Sequence, residues 1–429
     1  MKKKGMKMYY NHASYTSDSM EKRICKECIL HSKVPGVVIN EDGICNVCHA
    51  VKDNRLIEKD SVISQFYVKR MENLFRKVKS EKHIYDALVL VSGGKDCIRL
   101  MNLVKEKYQL NILALSIVTP FVTESALKNI EESTSIMHIP LIKFFVDAQM
   151  FREVLRYAII NGDKYDLGQN AACKMCYFFI YWCGARLAIQ MDIPIVLEGK
   201  DKSQKPNIYI TGSKMKSEIG RGNKPYGKVH DLFEDAVGDK YGKTIYHYDR
   251  EQIIGCNYPT EVAPLSFMDF DYAELEQEIE KSGLDMRKYR KAKTTCQAVH
   301  LFDFFSYLKY DCPTSIYQWA AGCRMDYPTL MQLNIAKPEE VKNPDRETLL
   351  TVMKEYKDVI FYMAEHSTNS NDYEKLKENL LQYCEVTQTL FSEEAMEMIG
   401  MNVLEMGRLA SYFELDLKSF LSKYKKSEE

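Results

Sequence analysis

The sequence predicts an α/β protein built on a doubly wound parallel sheet, and three observations indicate this fold. Short, almost wholly apolar runs recur along the first half of the chain, as is typical of strands buried on both faces. Longer stretches with helical spacing separate these runs, which is the alternation of parallel strands and crossover helices. A Gly-Gly turn follows the first run and opens the next helix. The predicted strands are 85–91, 111–117, 141–146 and 193–197.

Apolar residues at helical spacing predict the helices that connect and cover these strands. In the first half of the chain they are 53–82, 97–108, 124–137, 149–161 and 175–191. Residues 200–260 are rich in Lys, Gly, Asn and Tyr, and we predict a long loop region near the substrate. Later candidate helices are 271–282, 297–310, 346–365, 372–392 and 393–423.

Changes in composition divide the chain into four parts. We predict a flexible arm (1–20), a cysteine-rich module (21–52), the α/β domain (53–265) and a mainly helical C-terminal region (266–429).

The composition of the 429 residues is that of an ordinary globular protein, with 45% hydrophobic residues and a formal net charge of -1. This charge gives no sign of a surface for nucleic acid or membrane. Runs of eighteen apolar residues are absent from the sequence, and the basic N-terminus lacks the apolar stretch of a secretory signal. We therefore expect a cytoplasmic protein whose thirteen cysteines are thiols and metal ligands.

A candidate phosphate-binding loop lies between the first predicted strand and the next helix. Its glycines allow the backbone amides to face an anion, and the helix N-terminus adds positive charge. Lys95 is suited to offset phosphate charge, and Asp96 to hold a Mg²⁺ ion that bridges phosphates. The pattern differs from the Walker A loop. The candidate phosphate-binding residues, which the family resemblance described below assigns to ATP binding, are Ser92, Gly93, Gly94, Lys95, Asp96 and Cys97.

Two Cys-x-x-Cys pairs near the N-terminus predict a metal site. A turn signal, Asn-Glu-Asp-Gly, precedes the second pair, as a zinc knuckle requires. Four thiolates at this spacing are typical of a structural Zn²⁺ site of the zinc-ribbon type. His31 and His49 lie close enough in sequence to replace one ligand. The four predicted ligands are Cys25, Cys28, Cys45 and Cys48.

The order of these motifs resembles a known family. Ser-Gly-Gly-Lys-Asp-Cys directly after an apolar strand is similar to the loop of the PP-loop ATP pyrophosphatases. The preceding cysteine module resembles the N-acetyl sugar amidotransferase-like members, which act in surface-polysaccharide biosynthesis. The resemblance implies a Rossmann-like α/β fold, cleavage of ATP between its α and β phosphates, and an adenylated substrate from which a nucleophile displaces AMP. Lys95 and Asp96 would be its catalytic residues.

Further residues gain meaning from this resemblance. Cys173 and Cys176 form a pair that is found at this place in the amidotransferase-like group. In thiolation enzymes of the family such a pair binds an iron–sulfur cluster with a third cysteine, and the alternative is two buried thiols that cap a helix. Gly199 corresponds to the family's glycine at the end of the fourth strand, and Lys200 follows it at the ligand crevice, so we add both to the candidate ATP site. Candidates for a third cluster ligand are Cys183, Cys256, Cys296, Cys312 and Cys323.

Three functions fit these patterns. The leading hypothesis is an amidotransferase or ligase that adenylates a small molecule, such as a nucleotide sugar, and uses ammonia from a separate glutaminase subunit. The alternative is ATP-dependent sulfur transfer to an RNA base or small molecule through Cys173 and Cys176. The third is a non-enzymatic nucleotide sensor or scaffold.

Overall fold

The structure is a computed structural model that describes thirteen stretches of the chain. Within them, no helix combines the length and apolar character needed to cross a membrane. The predicted arm (1–20) and the predicted helix at 372–392 lie outside the described residues, as does the first part of the one at 393–423. The described residues are 22–53, 61–201, 210–211, 217, 219–224, 227–241, 246, 249–269, 272–281, 283–286, 296–324, 345–366 and 405–428.

The centre of the fold is a mixed sheet in the order β3-β2-β1-β4-β6-β5, which confirms the predicted α/β class. Every described pairing among the first five strands of this order is parallel, and only the edge strand β5 runs antiparallel, to β6. The strands are β1 (Ala87–Leu90), β2 (Ile112–Val118), β3 (Leu141–Phe145), β4 (Ile195–Glu198), β5 (Ile210–Thr211) and β6 (Thr260–Val262).

Helices cover both faces of the sheet, as a doubly wound fold requires. One apolar core contains residues from α2, α3 and α9, whereas the other contains α5, α6 and the C-terminal helices. The described helices are α1 (Asn46–Lys52), α2 (Ser61–Ser80), α3 (Lys95–Asn102), α4 (Glu124–Ile136), α5 (Ala148–Asn161), α6 (Ala171–Gln190), α7 (Lys228–Val237), α8 (Arg250–Ile254), α9 (Tyr272–Lys281), α10 (Val299–Tyr310), α11 (Ile316–Ala321), α12 (Arg346–His366), α13 (405–412) and α14 (Leu417–Glu428).

We predicted a loop region at 200–260, but the described parts of this stretch contain regular elements. They are β5, α7, α8 and the start of β6, and β6 pairs with β4 in the sheet. A strand of three residues gives no detectable alternation, and its Glu261 is buried against expectation for a charged residue. The sequence pattern therefore missed the strand that extends the sheet beyond β4.

Two predicted helices also differ in detail. The helix after the phosphate loop is α-helical only to Asn102 and continues as a π-helix over Leu103–Lys107. The predicted helix at 393–423 is interrupted at Glu414, whose φ of 55° is left-handed. Asp416 then caps α14 by accepting a hydrogen bond from the Ser419 amide at 3.1 Å. Helical periodicity continues across such a break because both helices bury one apolar face.

Candidate functional site

The phosphate loop follows β1 at the carboxyl edge of the sheet and leads into α3. Gly94 is the N-cap of α3, and Gly93 has a φ of 79°, a left-handed conformation that favours glycine. A Cβ atom on Gly93 would lie 2.3 Å from the carbonyl oxygen of Ala126 in α4. Asn129 donates a hydrogen bond to the Gly93 carbonyl at 3.3 Å. Both positive φ and close packing therefore require glycine at position 93.

Charged side chains meet at the start of α3. Lys95 Nζ lies 3.3 Å from Asp96 Oδ2, and Arg99 Nη1 donates to Asp96 Oδ1 at 2.8 Å. Lys95 and Asp96 keep 22% and 15% of their side-chain surface exposed, whereas Arg99 keeps 6%. An anion above the loop would therefore meet Lys95 and the α3 N-terminus, with a carboxylate directly beside them.

Cys97 packs against the first residue of the phosphate loop. Its sulfur lies 3.4 Å from Ser92 Oγ, and the thiol is buried. Burial raises the pKa of the Cys97 thiol, so it stays protonated at neutral pH. The residue is therefore a small packing and hydrogen-bonding group that supports the loop.

The end of β4 packs against the same loop. A Cβ atom on Gly199 would lie 3.2 Å from the Cys97 amide nitrogen, so the two segments touch. Lys200 pairs with Glu198 at 3.1 Å and lies 3.2 Å from the centre of the Tyr177 ring. The Tyr177 hydroxyl donates to Glu198 Oε1 at 2.5 Å. The role of Gly199 and Lys200 in ATP binding stays a prediction.

A third cysteine approaches the pair in α6. Burial, then the charges of Cys296 and Cys176, raise the pKa of Cys173 well above its usual value. Burial and the charge of Cys296 likewise raise the pKa of Cys176. Burial raises the pKa of Cys296 to about 11. Of the five cysteines proposed as a third ligand, only Cys296 is among the groups that shift the pKa of both α6 thiols.

The other four candidates contact different surroundings. Cys183 interacts with Tyr246, and Cys256 donates to the Ile253 carbonyl. Cys312 lies beside Ser306. Cys323 lies close enough to Cys48 for that thiol to raise its pKa, after the larger effect of burial.

Backbone contacts bring the three-thiol group, Cys173, Cys176 and Cys296, to the edge of the sheet that carries the phosphate loop. Cys296 forms an antiparallel bridge with Val122, which lies between β2 and α4. The start of α4 packs on Gly93. On the other side, Tyr177 follows Cys176 and reaches Glu198 at the end of β4. These contacts link the segments that carry the thiols to the segments that follow β2 and β4.

The N-terminal cysteines form a metal-binding group. Their ligand atoms all lie within 4.8 Å of one another, and all four residues are buried. Hydrogen bonding to Cys28 lowers the pKa of Cys25 to about 5 and that of Cys45 to about 4, which favours the thiolate form that binds metals. The Cys45 amide donates to Cys25 Sγ at 3.2 Å and the Cys48 amide to Cys45 Sγ at 3.3 Å. This arrangement is suited to one tetrahedral metal ion.

Neither histidine near this group is placed as a ligand. His31 Nε2 donates to the Asp311 carbonyl at 3.1 Å, and His49 pairs with Asp53. The four-thiol group therefore needs no histidine.

The module is docked on the C-terminal helices. Arg346 Nε, at the start of α12, donates to the carbonyls of Cys25 at 2.9 Å and Cys28 at 3.2 Å. Lys22 pairs with Asp311 at 2.5 Å, and Lys357 of α12 pairs with the same carboxylate at 2.6 Å. Part of the helical region therefore acts as the support of the metal module.

Several residues in this site carried no functional signal in the sequence. Arg99 follows Asp96 by three positions, so helical spacing would have placed them on one face. Glu198 is a buried charge at a strand end, a pattern that calls for a partner. The approach of Cys296 depends on a bridge between segments 174 residues apart, which local patterns cannot encode.

Comparison with known proteins identifies no family for this chain. No protein-family model matches it, and no curated protein matches it either. Among solved structures it is similar to the U34-tRNA thiolase NcsA from Methanococcus maripaludis with its [4Fe-4S] cluster, at 12% identity over 80% of this chain and 89% of that chain, with a TM-score of 0.30. It is also similar to a predicted subunit of tRNA methyltransferase from Methanocaldococcus jannaschii, at 18% identity over 48% of this chain and 92% of that chain, with a TM-score of 0.24. Likenesses this distant carry no argument about what the chain does.

Proposed function

We propose that this chain is a PP-loop ATP pyrophosphatase that adenylates a substrate oxygen and releases pyrophosphate. The geometry of the loop carries the proposal. A left-handed glycine, an uncapped helix N-terminus, a lysine and a carboxylate lie together at the carboxyl edge of a parallel sheet. This set of groups binds a polyphosphate and its Mg²⁺ ion.

Each residue of the phosphate loop has its own role in the proposed reaction. The amides at the start of α3, with the Ser92 hydroxyl, bind phosphate oxygens. Lys95 leaves Asp96 when ATP binds and neutralises charge on the departing pyrophosphate, while Asp96 holds Mg²⁺. The substrate oxygen attacks the α-phosphorus, the bond between the α-phosphorus and the bridging oxygen breaks, and pyrophosphate leaves.

We further propose that the group transferred to the adenylated substrate is sulfur. The observation in favour is that Cys296, held by its bridge to Val122, lies near enough to Cys173 and Cys176 for its charge to raise the pKa of both thiols. Burial keeps these thiols protonated in the absence of an ion, so a free thiolate carrier is disfavoured at neutral pH. Metal binding would remove their protons.

Three cysteine thiols are the kind of donor set that holds an iron–sulfur cluster. Among the described residues, only the N-terminal group brings three or more ligand atoms within 4.8 Å of one another, so the three-thiol group is spaced more widely. Each thiolate of a cluster binds a different iron, which separates the ligands more than one ion does. A cluster held by Cys173, Cys176 and Cys296 would supply an iron that can bind a sulfur species.

For the N-terminal group we propose Zn²⁺ in a structural role. Sulfurs at about 2.3 Å from one zinc ion lie roughly 3.8 Å from one another. The Cys28 and Cys45 sulfurs are 3.7 Å apart, and those of Cys25 and Cys48 are 4.0 Å apart. Four protein thiolates leave no position for a substrate.

Two measurements test the proposal. Conversion of labelled ATP to AMP and pyrophosphate should occur with pooled RNA and sulfide under anaerobic conditions, and Lys95→Ala and Asp96→Ala should abolish it. The matched control is Cys97→Ser, which replaces the buried thiol with a hydroxyl group of similar size and should retain activity. Normal turnover in Lys95→Ala would refute the ATP site.

Iron and acid-labile sulfide content tests the sulfur chemistry. Cys296→Ser should lose both, whereas Cys312→Ser, at a buried cysteine outside the three-thiol group, should keep them. A colourless wild-type protein that contains one zinc and no iron would contradict sulfur transfer.

Ammonia transfer is the second candidate, because residues 25–48 and the phosphate loop resemble the amidotransferase-like proteins. A nucleotide sugar with an N-acetyl group would then replace RNA in the assay, and a glutaminase subunit or ammonium salt would replace sulfide. Activity of Cys296→Ser in that assay, equal to that of the wild type, would favour amidation.

A further inference from the structure

A buried chain of charges extends behind the phosphate loop. Arg99 bonds Asp96 through Nη1 at 2.8 Å and bonds Glu276 of α9 through Nη2. Arg99 and Glu276 keep only 6% and 4% of their side-chain surface exposed. Glu276 follows Asp96 by 180 residues, so the contact joins α9 directly to the phosphate loop.

This arrangement fixes the two oxygens of Asp96 differently. Oδ1 accepts from the buried guanidinium, whose planar shape holds the carboxylate in one orientation. Oδ2 faces the more exposed ammonium of Lys95, at 3.3 Å. When Lys95 turns to a phosphate, Oδ2 becomes available to a cation while Oδ1 stays bound.

The charges of Arg99 and Glu276 also affect how Asp96 attracts a cation. Asp96 and Arg99 alone would sum to zero, and the Arg99 guanidinium would repel a metal ion beside the carboxylate. Glu276 offsets the positive charge of Arg99, so the guanidinium repels a metal ion at Asp96 less strongly. A buried pair of this kind contributes little to stability because desolvation offsets its attraction, and apolar residues of equal size would pack as well.

We propose that Arg99 and Glu276 are positioning residues for the Mg²⁺ ion of bound ATP. They hold Oδ1 of Asp96 so that Oδ2 is available to the metal, and Glu276 offsets the charge of Arg99 beside it. The inference rests on the proposed ATP site and deepens it, since it assigns a role in metal binding to the helix that follows the α/β sheet.

The experiment is a Mg²⁺ titration of ATP binding, measured by calorimetry on the full chain. Glu276→Gln keeps the shape of the side chain and removes its charge, and it should raise the half-saturating Mg²⁺ concentration at least tenfold. ATP binding in EDTA should change less than threefold. If the pair had only a packing role, the substitution would weaken ATP binding equally with Mg²⁺ and in EDTA, or would change neither.

Arg99→Met with Glu276→Met provides a second variant, because removal of both buried charges leaves an apolar pair that a folded core tolerates. It should show the same rise in Mg²⁺ requirement through lost orientation. Glu405→Gln is the matched control, since it breaks an Arg–Glu pair with Arg408 on α13, and it should leave the titration unchanged.

The outcomes distinguish failure of the proposed ATP site from failure of the positioning role of Arg99 and Glu276. Absence of Mg²⁺-dependent ATP binding in the wild-type chain would overturn the proposed function and this inference with it. Normal wild-type binding with Mg²⁺ half-saturation within twofold in both variants would overturn only the positioning role. Loss of folded structure in both variants would also overturn it, because the pair would then be structural.

Discussion

The junction between the metal module and the C-terminal helices should weaken measurably when one carboxylate is removed. Asp311 accepts from Lys22 at 2.5 Å and from Lys357 at 2.6 Å, so Asp311→Asn removes the negative charge from two ion pairs. The backbone is undisturbed, because Asp311 has a φ of 53° and asparagine tolerates this conformation. The variant therefore reports on the charges alone.

The expected cost to docking is about 1 kcal/mol, because only the Lys22 pair crosses the junction, whereas Lys357 and Asp311 both belong to the C-terminal region. A charge-assisted hydrogen bond contributes about 1.5–3 kcal/mol when buried. The Lys22 and Asp311 side chains are 29% and 18% exposed, so we discount their pair to about 1 kcal/mol for solvent screening. Since about 1.4 kcal/mol is tenfold in an equilibrium, amides exposed by undocking should exchange about fivefold faster.

Native-state hydrogen exchange with mass spectrometry measures this change on peptides from 22–53 and 299–324. Burial raises the pKa of Asp311, but Lys22 and Lys357 outweigh it, so the pKa is lowered overall. A lowered carboxyl pKa gives stability that is fully present above the unfolded value, about 4, and is lost as pH falls through the folded value. The ratio between the variants should thus be constant from pH 5 to 7.5. A ratio below about twofold at pH 7, or one that changes within this range, would refute the reasoning.

Three further predictions concern the loop, the metal and the core. Gly93→Ala should abolish ATP binding in a calorimetric titration, because its Cβ would meet a carbonyl at 2.3 Å and the residue would be left-handed; retained affinity would contradict the loop geometry. Cys25→Ser should lose one equivalent of zinc by elemental analysis, and unchanged content would exclude the four-thiol site. Tyr356→Phe removes the hydroxyl that donates to Oδ2 of buried Asp303 at 2.6 Å, and should lower the free energy of unfolding in urea by about 1–3 kcal/mol; a change below about 0.5 kcal/mol would show that the buried carboxylate does not depend on this hydroxyl.

The elements that sequence predicts well are those whose signal is local. The strand β1 and the start of α3 are each encoded by adjacent residues, because burial, glycine and helix initiation act over a few positions. The four thiols of the metal module are encoded in the same way by their spacing.

Elements that depend on distant partners escaped prediction. The short strand β6 is defined by its pairing with β4, and the location of Cys296 by a bridge to Val122. Sequence alone would place Glu276 on the exposed face of an amphipathic helix, whereas the structure buries it against Arg99. Such features arise from tertiary contacts that no window of sequence contains.

The docking of the metal module has a consequence for synthesis of the chain. Lys22 and its partner Asp311 are 289 residues apart. At a translation rate of about 5–20 residues per second, the module waits roughly 15–60 seconds for the segment that covers it. During that interval it can acquire its ion while the docking face is still open to solvent. Oxidants present during that interval would reach the thiols before Arg346 and the C-terminal helices shield them.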